Sequence, residues 1–336
     1  MKRLEPQSKI YIAGHRGLVG SAIWNNLLQR GYTNLIGRTH AELDLLDTAA
    51  VRAFFDEEHP EAVVLAAAHV GGIMANLHDR ADFIFQNLQI QQNVIGEAWR
   101  HGVQRLLFLG STCIYPRKAP QPMSEDCLLT SPLEYTNEPY AIAKIAGLKL
   151  CESLNIQYGT NYIAVMPTNL YGPNDNFDPV KSHVLPSMIR KFHDAKMSGA
   201  DHVTLWGTGT PLREFLWSED MADASVHVLL NVDFNDTCDG SITNSDGIRE
   251  IRNCHINVGT GIEHTIREVA EMVKSVVGFN GNIVWDSSKP DGTPRKLTDV
   301  SKLHRLGWHH TVDLDEGIRR LYQWFLENHT NLRAVK

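Results

Sequence analysis

The sequence predicts an α/β fold: a doubly wound parallel sheet over the first half, followed by a smaller and less regular domain. Three observations predict it. Short, continuously apolar runs alternate with helix-length periodic stretches up to about position 171; a glycine-rich turn joins the first run to the first helix; and the rhythm breaks where Gly, Pro and Asn crowd into YGPNDNFDP (171–179). Strands covered by helices on both faces need no polar alternation, so unbroken apolar runs fit a parallel sheet.

In chain order, the first strand is expected at Lys9–Gly14 (KIYIAG), and Leu18–Gln29 carries a helical period that stops at Arg30-Gly31, a C-cap glycine. Further strands are expected at Asn34–Arg38, Ala62–Ala68, Arg105–Ser111 and Tyr162–Met166, with helices at Ala49–Glu57, Ala81–Arg100 and Tyr140–Gln157. The second half predicts helices at His183–Lys196, Ser218–Leu230, Thr265–Val277 and Leu314–Asn328. Its strands are expected near Val203–Trp206, Ile256–Val258 and Ile283–Trp285. The division expected is residues 1–171 and, mainly, 172–336, with some later segments returning to the first domain. Asp236–Arg252 is polar and turn-rich and reads as a surface loop.

A chain of 336 residues with 43% apolar and 21% charged side chains can bury a sizeable core. Its net charge of −7 excludes a general nucleic-acid binder, which needs a positive field over much of its surface. The apolar runs are strand-length, far below the ~20 residues of a spanning helix, and MKRLEPQSKI lacks the apolar core of a secretory signal. Five scattered cysteines without CxxC spacing predict neither a disulfide framework nor a metal site, and fit a reducing cytoplasm.

Gly14-His15-Arg16-Gly17-Leu18-Val19-Gly20 follows a strand and opens a helix. Missing side chains there let backbone approach a pyrophosphate, and the helix N-terminus supplies N–H donors and a positive dipole end. This context predicts a Rossmann-type dinucleotide site. An NAD site places a carboxylate ~20 positions on; here the second strand ends in Gly37-Arg38-Thr39-His40. Arg16 and Arg38, helped by His40, suit a 2′-phosphate instead, because a guanidinium fork matches phosphate geometry. NADP is expected over NAD.

Tyr140 and Lys144 stand four apart at the start of a predicted helix, on one face. A nearby ammonium favours tyrosinate and is expected to pull the phenol below its usual value; such a pair can hand a proton to a carbonyl as hydride arrives. Ser111 ends the fourth strand, where ligands of open parallel sheets bind, and can hydrogen-bond the same carbonyl. Cys113, two positions on, and His183, at a helix start, have side chains able to exchange protons near neutral pH. Taken singly, each reads first as packing rather than chemistry.

The segments GHRGLVGSAI, LAAAHVGGIMAN, STCIYP, NEPYAIAKIAG, MPTNLYGPNDNF, WGTGTPLREFLW and KPDGTPRKL together resemble the extended short-chain dehydrogenase/reductase superfamily. More narrowly, they resemble its GDP-L-fucose synthase family, over about residues 9 to 328. The resemblance implies NADPH-dependent 3,5-epimerisation and 4-keto reduction of GDP-4-keto-6-deoxy-D-mannose. It assigns Cys113 as base and His183 as acid for the epimerisation, and Tyr140, Lys144 and Ser111 to the reduction. By the same resemblance the cofactor meets the glycine loop (Gly14, His15, Arg16, Gly17, Leu18, Val19, Gly20), Arg38, and His40 to Leu45 with Asp44. Further cofactor positions are Leu109, Gly110, Ser111, Thr112, Tyr140, Lys144, Pro167, Thr168, Asn169, Leu170 and His183. The nucleotide-sugar meets Lys191, Trp206, Arg213 and Asp291, and the relatives form homodimers through the two long helices of the first half. Apart from the resemblance, Trp206 reads as a core aromatic and Arg213 as a surface charge. The sequence departs from the family pattern at Thr112 (commonly Ser), at Lys191 (often Arg) and at His40 (often Arg). Two rival readings stay open: another nucleotide-sugar epimerase, reductase or dehydratase of the same superfamily, and a non-catalytic NADP-binding regulator.

Overall fold

The computed structural model describes residues 3–329 apart from 179–181, 239–241, 244 and 290. In the first half, strands β1 (Ile10–Ala13), β2 (Leu35–Ile36), β3 (Ala62–Leu65), β4 (Arg105–Leu109) and β5 (Asn161–Pro167) are interleaved with helices. These are α1 (Leu18–Gln29), α2 (Thr48–Glu58), α3 (Ile73–His78), α4 (Arg80–Arg100) and α5 (Glu138–Tyr158). There follow β6 (Asn169–Tyr171), α6 (Val184–Ser198), β7 (His202–Trp206), β8 (Leu212–Trp217), α7 (Ser218–Asn231), β9 (Ile242–Thr243) and β10 (Arg249–Glu250). The chain continues through β11 (Ile256–Val258), β12 (Glu263–Thr265), α8 (Ile266–Val277), β13 (Asn282–Asp286), β14 (Arg295–Lys296), α9 (Ser301–Arg305) and α10 (Leu314–Asn328).

Six strands form one parallel sheet in the order β2-β1-β3-β4-β5-β11. Every residue of β1, β3 and β4 is buried, which is why their sequences are unbroken apolar runs. One face packs Tyr11, Val63, Phe108 and Tyr162 against α2, α4 and α5; the other packs Ile10, Ile12, Val64 and Leu107 against α1 and α7. The strand order reverses between β1 and β3, so the binding crevice opens beyond the carboxyl ends of those strands.

Two later segments return to this unit. β11 pairs with β5, and α7 lies beside α1, joined by Asp223 accepting from Asn26, Arg30 and Trp308. The remainder surrounds a second core in which Phe192, Phe215, Trp217, Leu321 and Phe325 are buried between α6, α8 and α10 and the sheet built on β8.

The expected helices and strands are present with shifted ends. β6, β8, β12 and β14 were not foreseen, because short strands without their own period are created by pairing rather than by local pattern. The stretch Asp236–Arg252 carries the β9–β10 hairpin; most of its described residues are exposed, as expected of a surface loop, whereas Thr237 and Cys238 at its base are buried together with Cys254 just beyond it. Residues 239–241 and 244 lie outside the described residues.

Candidate active site

The three loop glycines have different physical reasons. Gly14 has φ +87°, and a Cβ there would sit 2.8 Å from the Ala67 nitrogen. At Gly20 a Cβ would lie 2.1 Å from the Gly14 oxygen, so this glycine lets α1 close onto β1. At Gly17 a Cβ would meet only the Gly14 oxygen, at an ordinary 3.5 Å. Protein packing therefore does not demand Gly17. It caps α1 without any side-chain hydrogen bond, leaving the helix N-terminus open to a phosphate. Gly17→Ala is expected to leave the unfolding midpoint near wild type while weakening NADPH binding about tenfold or more, ~1.4 kcal/mol. Gly20→Ala is expected to lower stability by about 1–3 kcal/mol. Thermal melts with fluorescence titration of NADPH separate the two.

Arg38 is ion-paired with Glu58 of α2 and lies 5.5 Å from the Phe54 ring centroid, while Lys9 holds the same carboxylate. The carboxylate near the end of the second strand thus comes from a helix, a partnership the sequence did not reveal. His15 fills the space beside Gly37 and packs on Trp24; its burial, with Arg16 next, holds the imidazole below its usual pKa. His40 is exposed, its Nδ1 3.6 Å from Asp44, and Leu45 packs on the core.

At the end of β4, Gly110 admits the Met166 side chain, which a Cβ would meet at 2.3 Å. Ser111 follows in extended conformation and its Oγ accepts from the Cys113 nitrogen at 3.3 Å, opening the tight turn Thr112–Ile114. Pro139 lies in the first turn of α5, presetting the helix that presents Tyr140 and Lys144. The Lys144 Nζ donates to the Leu109 oxygen at 2.8 Å and lies 5.7 Å from the Tyr140 ring centroid. Burial pulls Lys144 down to about 8, opposed by Cys113. Burial also pushes the Tyr140 phenol up, with Cys113 adding to the rise. This reverses the sequence expectation of a lowered phenol: desolvation dominates. A raised phenol keeps its proton at neutral pH, as a proton donor must.

Burial raises the Cys113 thiol; Lys296 opposes the rise most, then the Ser111 hydroxyl and Lys144. Lys296 on β14 is the register partner of Arg213 on β8, so two cations from adjacent strands flank the thiol side of the crevice. Arg213 is part-buried beside Asp291, whose carboxylate accepts from the Thr208 nitrogen at 2.7 Å and hydroxyl at 2.8 Å. Trp206 is 56% exposed, against the expectation of a core aromatic, with the ammonium groups of Lys191 and Lys289 5.6 and 5.7 Å from its ring. It ends β7, whose side chains alternate between core and solvent.

His183 stands at the N-cap position of α6 in extended conformation, and Lys191 lies about two turns further along that helix. Lys191 meets Trp206; His183 itself is exposed, and desolvation by its surroundings holds the imidazole below its usual pKa. Pro167, Thr168, Asn169 and Leu170 run from β5 into β6. There Thr168 and Asn169 donate to the Glu214 oxygen, tying the end of β5 to the strand that carries Arg213. The sequence reading missed Lys289 and Lys296; both bracket Asp291 in the run KPDGTPRKL, which was the available signal.

A strand-tip serine, a Tyr-x-x-x-Lys pair and a glycine loop on a doubly wound sheet define a nucleotide-dependent epimerase or dehydrogenase. The NAD dependent epimerase/dehydratase family matches residues 10–242, and the chain belongs to it. GDP-L-fucose synthase 1 of Arabidopsis thaliana is 56% identical over 327 residues, 97% of this chain and 96% of that protein. GDP-L-fucose synthase of Escherichia coli (strain K12) is 54% identical over 328 residues, 98% and 99% of the two chains. A GDP-mannoheptose C4 reductase from Campylobacter jejuni, solved with NADP bound, superposes with a TM-score of 0.86 at 42% identity, covering 96% of this chain and 99% of that one.

Proposed function

We propose that this chain converts GDP-4-keto-6-deoxy-D-mannose to GDP-L-fucose, by inversion at C3 and C5 and then reduction at C4, with NADPH. The observation that carries the reading is the Cys113 thiol in one crevice with Ser111, Tyr140 and Lys144. A carbonyl reduction needs the last three; a thiol among them is suited to a carbon acid. Gly17 leaves an open phosphate cradle at α1, which fits the dinucleotide. NADPH supplies a hydride to C4 when bound.

In this reading residues 1–171, completed by α7 and β11, hold the cofactor, and 172–336 mainly hold the nucleotide-sugar. Lys191, Arg213 and Lys296 answer the diphosphate, and Trp206 offers an exposed ring face to the base or sugar. The C4 ketone acidifies C3 and C5; Cys113 removes each proton and His183 returns one to the opposite face. Ser111 then holds the C4 oxygen while Tyr140 protonates it, and Lys144 fixes the phenol and the ribose side of the crevice.

A homodimer is part of the reading. The exposed apolar residues Phe85 on α4 and Ile142, Ile156 and Tyr158 on α5 are suited to burial against a second copy. Among the described residues no helix is long and apolar enough to cross a membrane, and the free buried cysteines suit a cytoplasmic enzyme.

The test is to mix the protein with GDP-4-keto-6-deoxy-D-mannose and NADPH, follow nicotinamide absorbance and determine the product's stereochemistry. Oxidation with inversion at both carbons is expected. No oxidation would overturn the enzyme reading, and oxidation without inversion would reduce it to a C4 reductase.

A further inference from the structure

We propose that Cys238 and Cys254 form a redox-modification site: a dithiol that a small peroxide converts to a disulfide. Their sulfurs lie 3.4 Å apart in a small buried cluster with Phe234, and the residue next to Cys254, His255, meets Tyr115 just past the Thr112–Ile114 turn. A disulfide bond is ~2.05 Å long, so the sulfurs have to close by about 1.4 Å. One ammonium holds the two segments together. Lys302 Nζ on α9 donates to the carbonyls of Thr237 (3.4 Å), Asn253 (2.8 Å) and His255 (3.1 Å), which flank both cysteines.

A cavity of about one water's size lies against Cys254, lined also by Cys151, Glu152, Phe234 and His255. The protonation of His255 follows from its neighbours. Asn257 spends its Nδ2 hydrogens on the Met123 and Asp299 carbonyls, so its Oδ1 accepts from the Tyr115 hydroxyl. Tyr115 has then given its only proton, and its contact with His255 Nε2 at 3.0 Å requires Nε2 to be the donor. His255 Nδ1 is therefore a bare acceptor, buried and without a partner, as is Glu152 Oε2. Two acceptors that lack a donor, beside a thiol, suit a small O–H molecule. Glu152 also lines a surface groove with Lys149 and Arg252, which gives such a molecule a way in. A cavity this narrow excludes glutathione disulfide.

The chemistry closes without a further reagent. The Cys254 sulfur attacks one peroxide oxygen and the O–O bond breaks. The thiol proton goes to the departing hydroxide, which leaves as water, and Cys254 becomes a sulfenic acid. The Cys238 sulfur then attacks the Cys254 sulfur; the S–S bond forms, the S–O bond breaks, and the second hydroxide leaves with the Cys238 proton. The two thiols lose two electrons and the peroxide gains them. Burial keeps the Cys254 thiol protonated, so the first step is slow and the peroxide is used in excess.

The test treats the full-length protein with hydrogen peroxide, alkylates remaining thiols in denaturant and maps the peptides by mass. A cross-link between the Cys238 and Cys254 peptides that dithiothreitol reverses is expected, with oxidised glutathione leaving both thiols alkylated. In Cys238→Ser the cross-link is expected to vanish and Cys254 to become trappable by dimedone, with turnover in untreated samples unchanged. If that variant does not fold, Cys238→Ala and the wild-type map carry the same readout. Full alkylation of both residues after peroxide, or a bridge from Cys254 to Cys151 instead, would overturn the proposal.

Discussion

Tyr140→Phe is expected to slow NADPH oxidation by about 10²–10⁴-fold, ~3–5 kcal/mol of barrier, while leaving proton exchange at C3 and C5 close to wild type. The substitution removes one oxygen from a ring packed at 6.2 Å against Phe83, so the helix and the neighbouring Lys144 stay in place. What is lost is the proton. Burial holds the phenol protonated through neutral pH, so the wild-type reaction has its donor ready across that range. The limit comes instead from Lys144, whose folded value near 8 lies below its ordinary one because burial penalises the ammonium. Between that value and ~10.4 the folded protein binds fewer protons than the unfolded chain. Stability therefore rises with pH through this window, whereas the reductive rate falls as the ammonium beside the phenol is lost. A pH profile of single-turnover reduction, alongside deuterium exchange into C3 and C5 in D₂O, checks both halves. Loss of exchange together with reduction would show that Tyr140 serves the carbon acids as well.

The sheet was legible because each of its buried strands is an apolar run of at least four residues, with the exception of the short β2 and β11, which the surrounding periodicity framed. The glycine loop was legible because its strand and helix neighbours restrict what the turn can be. The second half was harder for a physical reason. β8 sits centrally in its sheet, yet LREFLW has no two-residue alternation, since its last four residues are all buried, Phe215 and Trp217 in one core and Leu216 in the other. The candidate site shows the same division. Ser111, Tyr140 and Lys144 are tied to local elements and could be placed by spacing. Lys296 comes to the Cys113 side only through the pairing of β14 with β8, a contact 183 positions from the thiol that no local window contains. The partnership of Arg38 with Glu58 is hidden likewise, as is the direction of the Tyr140 shift, which depends on burial.

Cys113→Ser is expected to lower deuterium exchange at C3 and C5 by about 10²–10⁴-fold while NADPH still binds, because a hydroxyl in place of the thiol is far harder to ionise. The wild-type pH profile should carry a particular signature. Burial raises Cys113 and lowers His183, so the form the proposed roles require, thiolate together with imidazolium, is a minority at every pH. Its population rises through the His183 value, stays level, and falls above the Cys113 value. The height of that plateau drops tenfold for each unit separating the two groups. Lys296 is the largest influence drawing the thiol down. Lys296→Met is therefore expected to lower the plateau and move the basic limb to higher pH together. A lysine that only gripped the diphosphate would raise KM and leave the limb where it was. Measuring exchange from pH 6 to 10 in the two proteins separates these outcomes, and an unmoved limb would remove Lys296 from the proton chemistry.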